Sequence, residues 1–261
     1  MNLEVKRLYL IRTLLDEEDR YRGLAIPSDS QGQRDLLRAL MNVRPPRPIS
    51  NRFLSVQDSY LQELLCNQQI TPLSELKPFP NGLYLWQGDI TKLECDAIVN
   101  AANSGLTGCH QPLHYCVDNA IHTYAGIQLR LKCAELIKQQ GHPEPAGQAK
   151  LTPAYNLPCR WILHTVGPIV DGPLTERHCS LLASCYRSCL ELADQNGIES
   201  IAFCCISTGV FAFPRRQAAE IALQTVEAYR RETQSKITVL FNVFREDDFM
   251  IYRKLLLKGT D

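Results

Sequence analysis

The sequence lacks any apolar run of membrane-spanning length and any excess of either charge. Lys plus Arg and Asp plus Glu each number 28, so with histidines neutral the net charge is zero. The basic footprint by which proteins hold a nucleic-acid backbone is missing. Neither nucleic acid nor a membrane is therefore expected as a partner. A compact anion such as pyrophosphate is still within reach, because backbone N–H groups and helix N-termini hold phosphate without surplus lysine or arginine. The segment MNLEVKRLYLIRTLLDEEDR is charged throughout and has neither the apolar stretch nor the small-residue cleavage site of a secretory leader. Neither G-x-G-x-x-G nor G-x-x-x-x-G-K-[ST] occurs, which disfavours a Rossmann dinucleotide site and a P-loop. Internal repeats and low-complexity tracts are also missing.

What is present is an ordinary globular composition. The chain has 261 residues, 45% of them hydrophobic, enough for a full core in one main domain plus an extension. Its 11 cysteines are an odd number in a chain too long to need stapling, and Cys133, Cys204 and Cys205 sit in apolar runs as small buried hydrophobes do. A reducing, cytoplasmic setting is expected. Cys109 and Cys116 do not fit that pattern, because they flank a histidine in a polar stretch punctuated by Gly and Pro.

Residues 1–77 read as a helical extension. Leu8, Ile11 and Leu15, then Leu36, Leu37, Leu40 and Met41, then Val56, Tyr60, Leu64 and Leu65 recur at helical spacing. The run RPPRPIS, Arg44 to Ser50, ends the second helix, and Ser55 is predicted to cap the third. A proline cluster from Lys77 to Gly82 marks the start of the main domain, residues 78–261. There, strands predicted at 83–87, 97–100, 161–166, 200–206 and 236–241 alternate with helices at 117–132, 176–195, 214–231 and 247–257. This is the pattern of an α/β fold with a buried sheet. Cys204 to Ile206 and Ile237 to Leu240 are apolar on both alternations, as in central strands covered on both faces.

Ligands in such folds sit at the carboxyl ends of the strands, and polar segments follow four of them. These are Gln87-Gly88-Asp89-Ile90-Thr91, Asn100-Ala101-Ala102-Asn103, His164-Thr165-Val166-Gly167-Pro168 and Ser207-Thr208-Gly209-Val210-Phe211. Each alone reads better as a tight turn than as a ligand contact. Together they make a site: the small residues of Ser207 to Phe211 can aim successive N–H groups at a pyrophosphate, Asp89 can accept from an exocyclic amine, and Asn103 can bond ribose hydroxyls both ways.

With QGDIT, DAIVNAANSGL, LTPAYNLPCRWILHTVGP and CCISTGVFAFP in that order, the chain from about Leu83 onward resembles the macrodomain family of ADP-ribose-binding modules. The resemblance implies a three-layer α/β/α fold with a mixed, mostly parallel sheet. It also implies adenine near Asp89 and Ile90, the distal ribose near Asn103, and the diphosphate on Ser207, Thr208, Gly209, Val210 and Phe211. Val117, Asp118 and Asn119 complete the implied ADP-ribose-binding set.

Cys109, His114 and Cys116 form a C-x4-H-x-C spacing of thiolates and imidazole, which are zinc's preferred donors. From spacing alone, two free cysteines and a solvated histidine are the favoured reading. Three donors leave a coordination position open, which is the mark of catalytic rather than structural zinc. His110 and His122 are weak candidates for a fourth ligand, and His164 is expected to be structural. GCHQPLHYCVDNAIHTYAGIQLR resembles the zinc-containing branch of macrodomains found in certain bacteria, many of which carry a similar helical extension; His110 departs from its pattern. That resemblance implies one Zn2+ per chain on Cys109, His114 and Cys116, and removal of mono-ADP-ribose from Asp or Glu esters on proteins. Asn103, Asp118 and Cys116 are then the candidate catalytic residues.

Three rivals stay open: a reader of ADP-ribose without turnover, a cysteine hydrolase using Cys109 or Cys116 with His114 as base, and an O-acyl-ADP-ribose deacylase. The expected partner is ADP-ribose or an ADP-ribosylated protein. The extension either contacts a carrier-protein substrate or covers one side of the sheet.

Overall fold

In the computed structural model, which describes residues 1–258, the extension begins with three helices, α1 (Leu3–Asp16), α2 (Ser30–Val43) and α3 (Asn51–Cys66). Each starts where a short polar side chain accepts a first-turn N–H: Asn2 from Val5, Asp29 from Gly32 and Ser50 from Phe53. The predicted cap Ser55 thus lies inside α3, because Ser50 already stops the proline-rich turn in an extended conformation and opens the helix. Helix α2 ends at Val43; Arg44 is extended before Pro45, whose ring disfavours helical geometry there.

These helices enclose their own apolar cluster of Leu10, Ile11, Leu14, Leu37, Leu40, Met41, Phe53, Tyr60 and Leu61, joined by Ile127. The buried stripe of α1 is rotated from the predicted one. Leu8 and Leu15 flank it, while Arg7 lies inside with its guanidinium held by the Gln33 side chain at 2.8 and 3.0 Å.

The remaining elements are β1 (Thr71–Pro72), β2 (Tyr84–Gln87), β3 (Leu93–Glu94), β4 (Ala97–Ala101), α4 (Val117–Ala125), α5 (Ile127–Gln140), β5 (Ala149–Pro153), β6 (Trp161–Thr165), α6 (Glu176–Gln195), β7 (Ser200–Phe203), α7 (Arg215–Thr233), β8 (Thr238–Val243) and α8 (Glu246–Lys258). A six-stranded sheet runs in the order β2-β8-β7-β4-β6-β5, parallel throughout except for β5 against β6. Helices cover both faces, giving the three-layer α/β/α fold. Ala97, Ile98, Val99, Ile201, Ala202, Phe203, Val239, Leu240 and Phe241 are accordingly buried on both alternations. Among the described residues no helix is long and apolar enough to cross a membrane.

Several predicted boundaries shift for physical reasons. The helix predicted over 117–132 is broken at Gly126, whose φ of +98° no helical residue adopts and where a Cβ would meet Gln57 Nε2 at 2.6 Å. Pro214 caps α7 rather than entering its first turn. Strand β7 stops at Phe203, three residues before the predicted end. Strand β5 was not predicted, because AKLTP is a half-polar edge sequence ending in proline. The short pair β1–β3 ties the end of the extension to the main domain.

Candidate functional site

Because β2, β8, β7, β4 and β6 run parallel, the segments leaving their carboxyl ends converge on one edge of the sheet. After β2, Asp89 caps a short 3-10 turn: Oδ1 accepts from Thr91 N–H at 3.0 Å and from the Thr91 hydroxyl at 2.7 Å. Oδ2 has no partner among the described residues and is the atom left to accept from a ligand. Ile90 beside it is buried.

After β7, the chain reverses at Ser207, which takes a left-handed φ of +63°. Ser207 C=O accepts from Phe213 N–H at 3.0 Å, and Gly209 C=O from Ala212 N–H at 3.0 Å. This closes the turn on itself. The N–H groups of Gly209, Val210 and Phe211 find no acceptor among the described residues, so the turn presents consecutive free donors, as an anion-binding nest does. The turn rests on Gly167, two residues past β6, where an added Cβ would collide with Ser207 Oγ and approach Ile206 Cγ2 to 2.8 Å. Val210 at the tip is exposed.

After β4, Asn103 uses both ends of its amide to shape the chain. Oδ1 accepts from Gly105 N–H and Nδ2 donates to Gly108 C=O, each at 2.9 Å. One N–H and one lone pair remain for a ligand. Gly108 sits at φ +84°, where an added Cβ would meet the His122 ring at 2.8 Å, and Cys109 follows directly.

The donor atoms of Cys109, His114 and Cys116 lie within 4.8 Å of one another, with all three residues half-buried. Cys109 Sγ is 3.3 Å from His114 Nδ1, and Cys116 Sγ caps α4 by accepting Asn119 N–H at 3.4 Å. Burial pushes the Cys116 thiol up to about 12, and the neighbouring Cys109 and Asp118 push the same way, while the Asn119 N–H opposes them. Two sulfurs and an imidazole gathered this closely suit a cation that takes soft and borderline donors, and the set fits zinc. His110 stands outside this group, exposed and 3.2 Å from the Thr107 hydroxyl.

Beneath the loop lies a polar floor. Asp118 is buried and accepts from Asn100 Nδ2 at 2.8 Å; burial pushes its carboxyl up to about 6 against that bond. His164 is met by Asn100 Nδ2 at 3.1 Å and the Thr152 hydroxyl at 2.9 Å, and burial lowers it to about 3, which keeps it neutral. His122, held neutral by burial and by nearby His164, is 3.5 Å from Asp118, with neither ring nitrogen in a hydrogen bond.

The structure therefore brings Asp89, Ile90, Asn103, the Ser207–Phe211 turn and the Cys-His-Cys loop to one edge. Val117, Asp118 and Asn119 lie along the start of α4 with their side chains turned inward. Val117 packs on the main core, and Asn119 is buried with Oδ1 accepting from Arg38 at 2.9 Å and Nδ2 donating to Gln111 C=O at 3.0 Å. Sequence reasoning missed Phe244, which stands 77% exposed directly after β8. It neighbours the Asp89 turn, because Gly88 N–H donates to Val243 C=O at 2.9 Å and Gly88 C=O accepts from Asn242 Nδ2 at 3.0 Å. An aromatic immediately past an apolar strand was the available signal. Arg38 and Asn42 of the extension, which bond to the Cys-His-Cys loop, were missed as well.

Residues 99–222 match the Macro domain family. The chain is 56% identical over 260 residues to the protein-ADP-ribose hydrolase of Treponema medium, covering 98% of this chain and all of that relative. It is 51% identical over 255 residues to the protein-ADP-ribose hydrolase of Staphylococcus aureus, covering 97% and 96%. Among solved structures, the Trypanosoma brucei macrodomain in complex with ADP-ribose is similar with a TM-score of 0.66 and 30% identity, covering 84% of this chain and 94% of that one. A variant of the Oceanobacillus iheyensis macrodomain with ADPR gives 0.61 and 40%, covering 67% and 91%. With its sheet order, its strand-end segments and this degree of identity, the chain belongs to the macrodomain family.

Proposed function

We propose that this protein is a hydrolase that removes mono-ADP-ribose from ADP-ribosylated proteins, acting on esters of Asp or Glu, with a three-ligand zinc beside the distal ribose. The observation that carries the proposal is the convergence of Cys109, His114 and Cys116 on a loop that Asn103 ties to the sheet edge. The relatives named protein-ADP-ribose hydrolases match nearly the whole chain, extension included.

In this reading the free N–H groups of Gly209, Val210 and Phe211 hold the diphosphate. The unpaired oxygen of Asp89 accepts from the adenine amine, Ile90 lines the pocket, and Phe244 offers an aromatic face to the base. Asn103 spends its remaining donor and acceptor on ribose hydroxyls. Zinc held by Cys109, His114 and Cys116 would supply Lewis-acid polarisation at the distal ribose through a position that three protein donors leave open. Asp118 and Asn100 fix the floor under that position. Water cleaves the ester, leaving a hydroxyl on the ribose and, with one proton released to solvent, the carboxylate on the protein.

One alternative has a specific observation behind it: Cys109 Sγ and His114 Nδ1 are close enough for a thiol–imidazole pair. Release of free ADP-ribose from Asp-linked and Ser-linked substrates, with and without a chelator, separates the readings. Chelator-sensitive release from the Asp-linked substrate is the expected result. Release that survives complete metal removal favours the cysteine nucleophile, and binding without release at any zinc level favours a reader.

A further inference from the structure

The ligand-bearing loop, 109–116, has no helix or strand of its own, and its one internal backbone bond, His114 N–H to Gln111 C=O, is long at 3.4 Å. Leu113 sits at φ +57°, a conformation a branched side chain takes only when its surroundings impose it. Those surroundings come from α2. Asn42 Oδ1 accepts the Leu113 N–H at 3.0 Å, holding the strained residue next to His114. Arg38 Nη2 donates to the His114 C=O at 3.1 Å and, at 2.9 Å, to Asn119 Oδ1, which also receives Arg38 Nε at 3.3 Å. The N–H of that same Asn119 faces Cys116 Sγ. One guanidinium thus bridges the peptide of one metal donor to the residue that orients another.

The arrangement is built, not incidental. Asn42 is 1% exposed; its Nδ2 donates to the Thr123 hydroxyl at 2.9 Å and its C=O accepts from Arg130 at 2.7 Å, so α2 is locked to α4 and α5 at this height. Resting on the zinc assignment above, we propose that Arg38 and Asn42 are positioning residues for the metal site, and that the helical extension pre-organises the Cys-His-Cys loop for the ion rather than only covering the sheet. Such outer contacts to a metal's ligands are generally worth about 10- to 100-fold in metal affinity.

The test is zinc competition against a chromophoric chelator, using the full chain. Wild type is expected to bind one zinc; if it binds none, the zinc reading fails and this inference with it. Arg38→Ala and Asn42→Ala are expected to bind zinc about 10- to 100-fold more weakly, with circular dichroism and chelated-state thermal midpoint close to wild type for Arg38→Ala. Arg38→Lys, which keeps one donor, recovers part of the loss. Lys6→Ala removes the Lys6–Glu63 ion pair inside the extension without touching the loop and leaves zinc affinity unchanged. Wild-type affinity in Arg38→Ala overturns the inference while the zinc assignment stands. An equal loss in Lys6→Ala overturns it too, because general loosening of the extension then accounts for the effect. Should Asn42→Ala fail to fold, the half-buried Arg38 carries the test alone.

Discussion

The turn after β7 and the loop carrying Cys109, His114 and Cys116 sit at the same sheet edge but are held in opposite ways. The turn is self-supporting: it leaves a buried strand, closes on its own backbone through Ser207 and Gly209, and rests on Gly167 in the segment that follows β6. The loop is held from outside, by the side chains of Asn103, Asn119, Arg38 and Asn42. The shape of the turn is a property of the sheet, whereas the gathering of Cys109, His114 and Cys116 depends on how two regions of the chain pack; in the proposed function the first holds the diphosphate and the second the metal. Binding of ADP-ribose and binding of zinc should therefore separate under mutation.

The sharpest separation is expected from Cys116→Ala. It removes one of three donors, so zinc content falls below a tenth of wild type and ADP-ribose release falls by more than about 100-fold. Calorimetric binding of ADP-ribose stays close to wild type, because the Ser207–Phe211 turn does not depend on the loop. Retained zinc would break the ligand assignment. Gly167→Ala should do the reverse: its Cβ displaces Ser207, and overpacking of this kind costs about 1–3 kcal/mol. ADP-ribose binding is expected to weaken by about 10- to 100-fold with zinc content unchanged. Parallel loss of zinc would show that the two regions are coupled.

The same contrast explains what could be read from the chain alone. Strands β4, β6, β7 and β8 were legible because apolar runs stop sharply at Asn, Gly and Ser, and the turns they feed are local. The clustering of Cys109, His114 and Cys116 was legible because C-x4-H-x-C is also local. Their supports were not: Arg38 and Asn42 reach the loop across 76 and 71 residues, and nothing in DLLRALMNV marks those positions as other than a polar helix face. Nor does sequence show that Asp118 turns inward. A carboxylate in a first helical turn usually serves the exposed N–H groups there, and only the pairing of β4 beside α4 sets Asn100 against it. Gly126 was visible as a glycine within a helical pattern, but its breaking role depends on Gln57 of α3.

Two smaller effects sharpen the adenine end. Asp89→Ala removes the acceptor proposed for the adenine amine and also uncaps the turn at Ile90, so ADP-ribose affinity should fall by about 1–3 kcal/mol with zinc retained. Phe244→Ala should cost about 1 kcal/mol or somewhat more, the usual worth of stacking a base on an aromatic ring. Tryptophan or tyrosine at the same position should restore it, whereas leucine should not. Unchanged affinity in Phe244→Ala would remove Phe244 from the site.

The smallest effect tests the extension by itself, through Glu17. Burial pushes its carboxyl up, but the hydrogen bonds and charges of Arg44 and Arg47 outweigh that and hold it below the ordinary value of 4.5. Arg44 meets it with Nε at 2.7 Å and Nη2 at 2.8 Å, joining the end of α1 to the end of α2. A carboxylate depressed on folding contributes stability that is fully present above its unfolded pKa and is lost as pH falls through the folded one. The thermal midpoint of the extension, followed by hydrogen exchange in α1 and α2, should hold steady from pH 7 down to about 5 and then fall below the ordinary carboxylate range. Glu17→Gln should lower the midpoint at neutral pH and flatten that acid decline. An acid decline of wild-type steepness in Glu17→Gln would place the sensitive group elsewhere and show that the junction of α1 and α2 is not where this region's stability is concentrated.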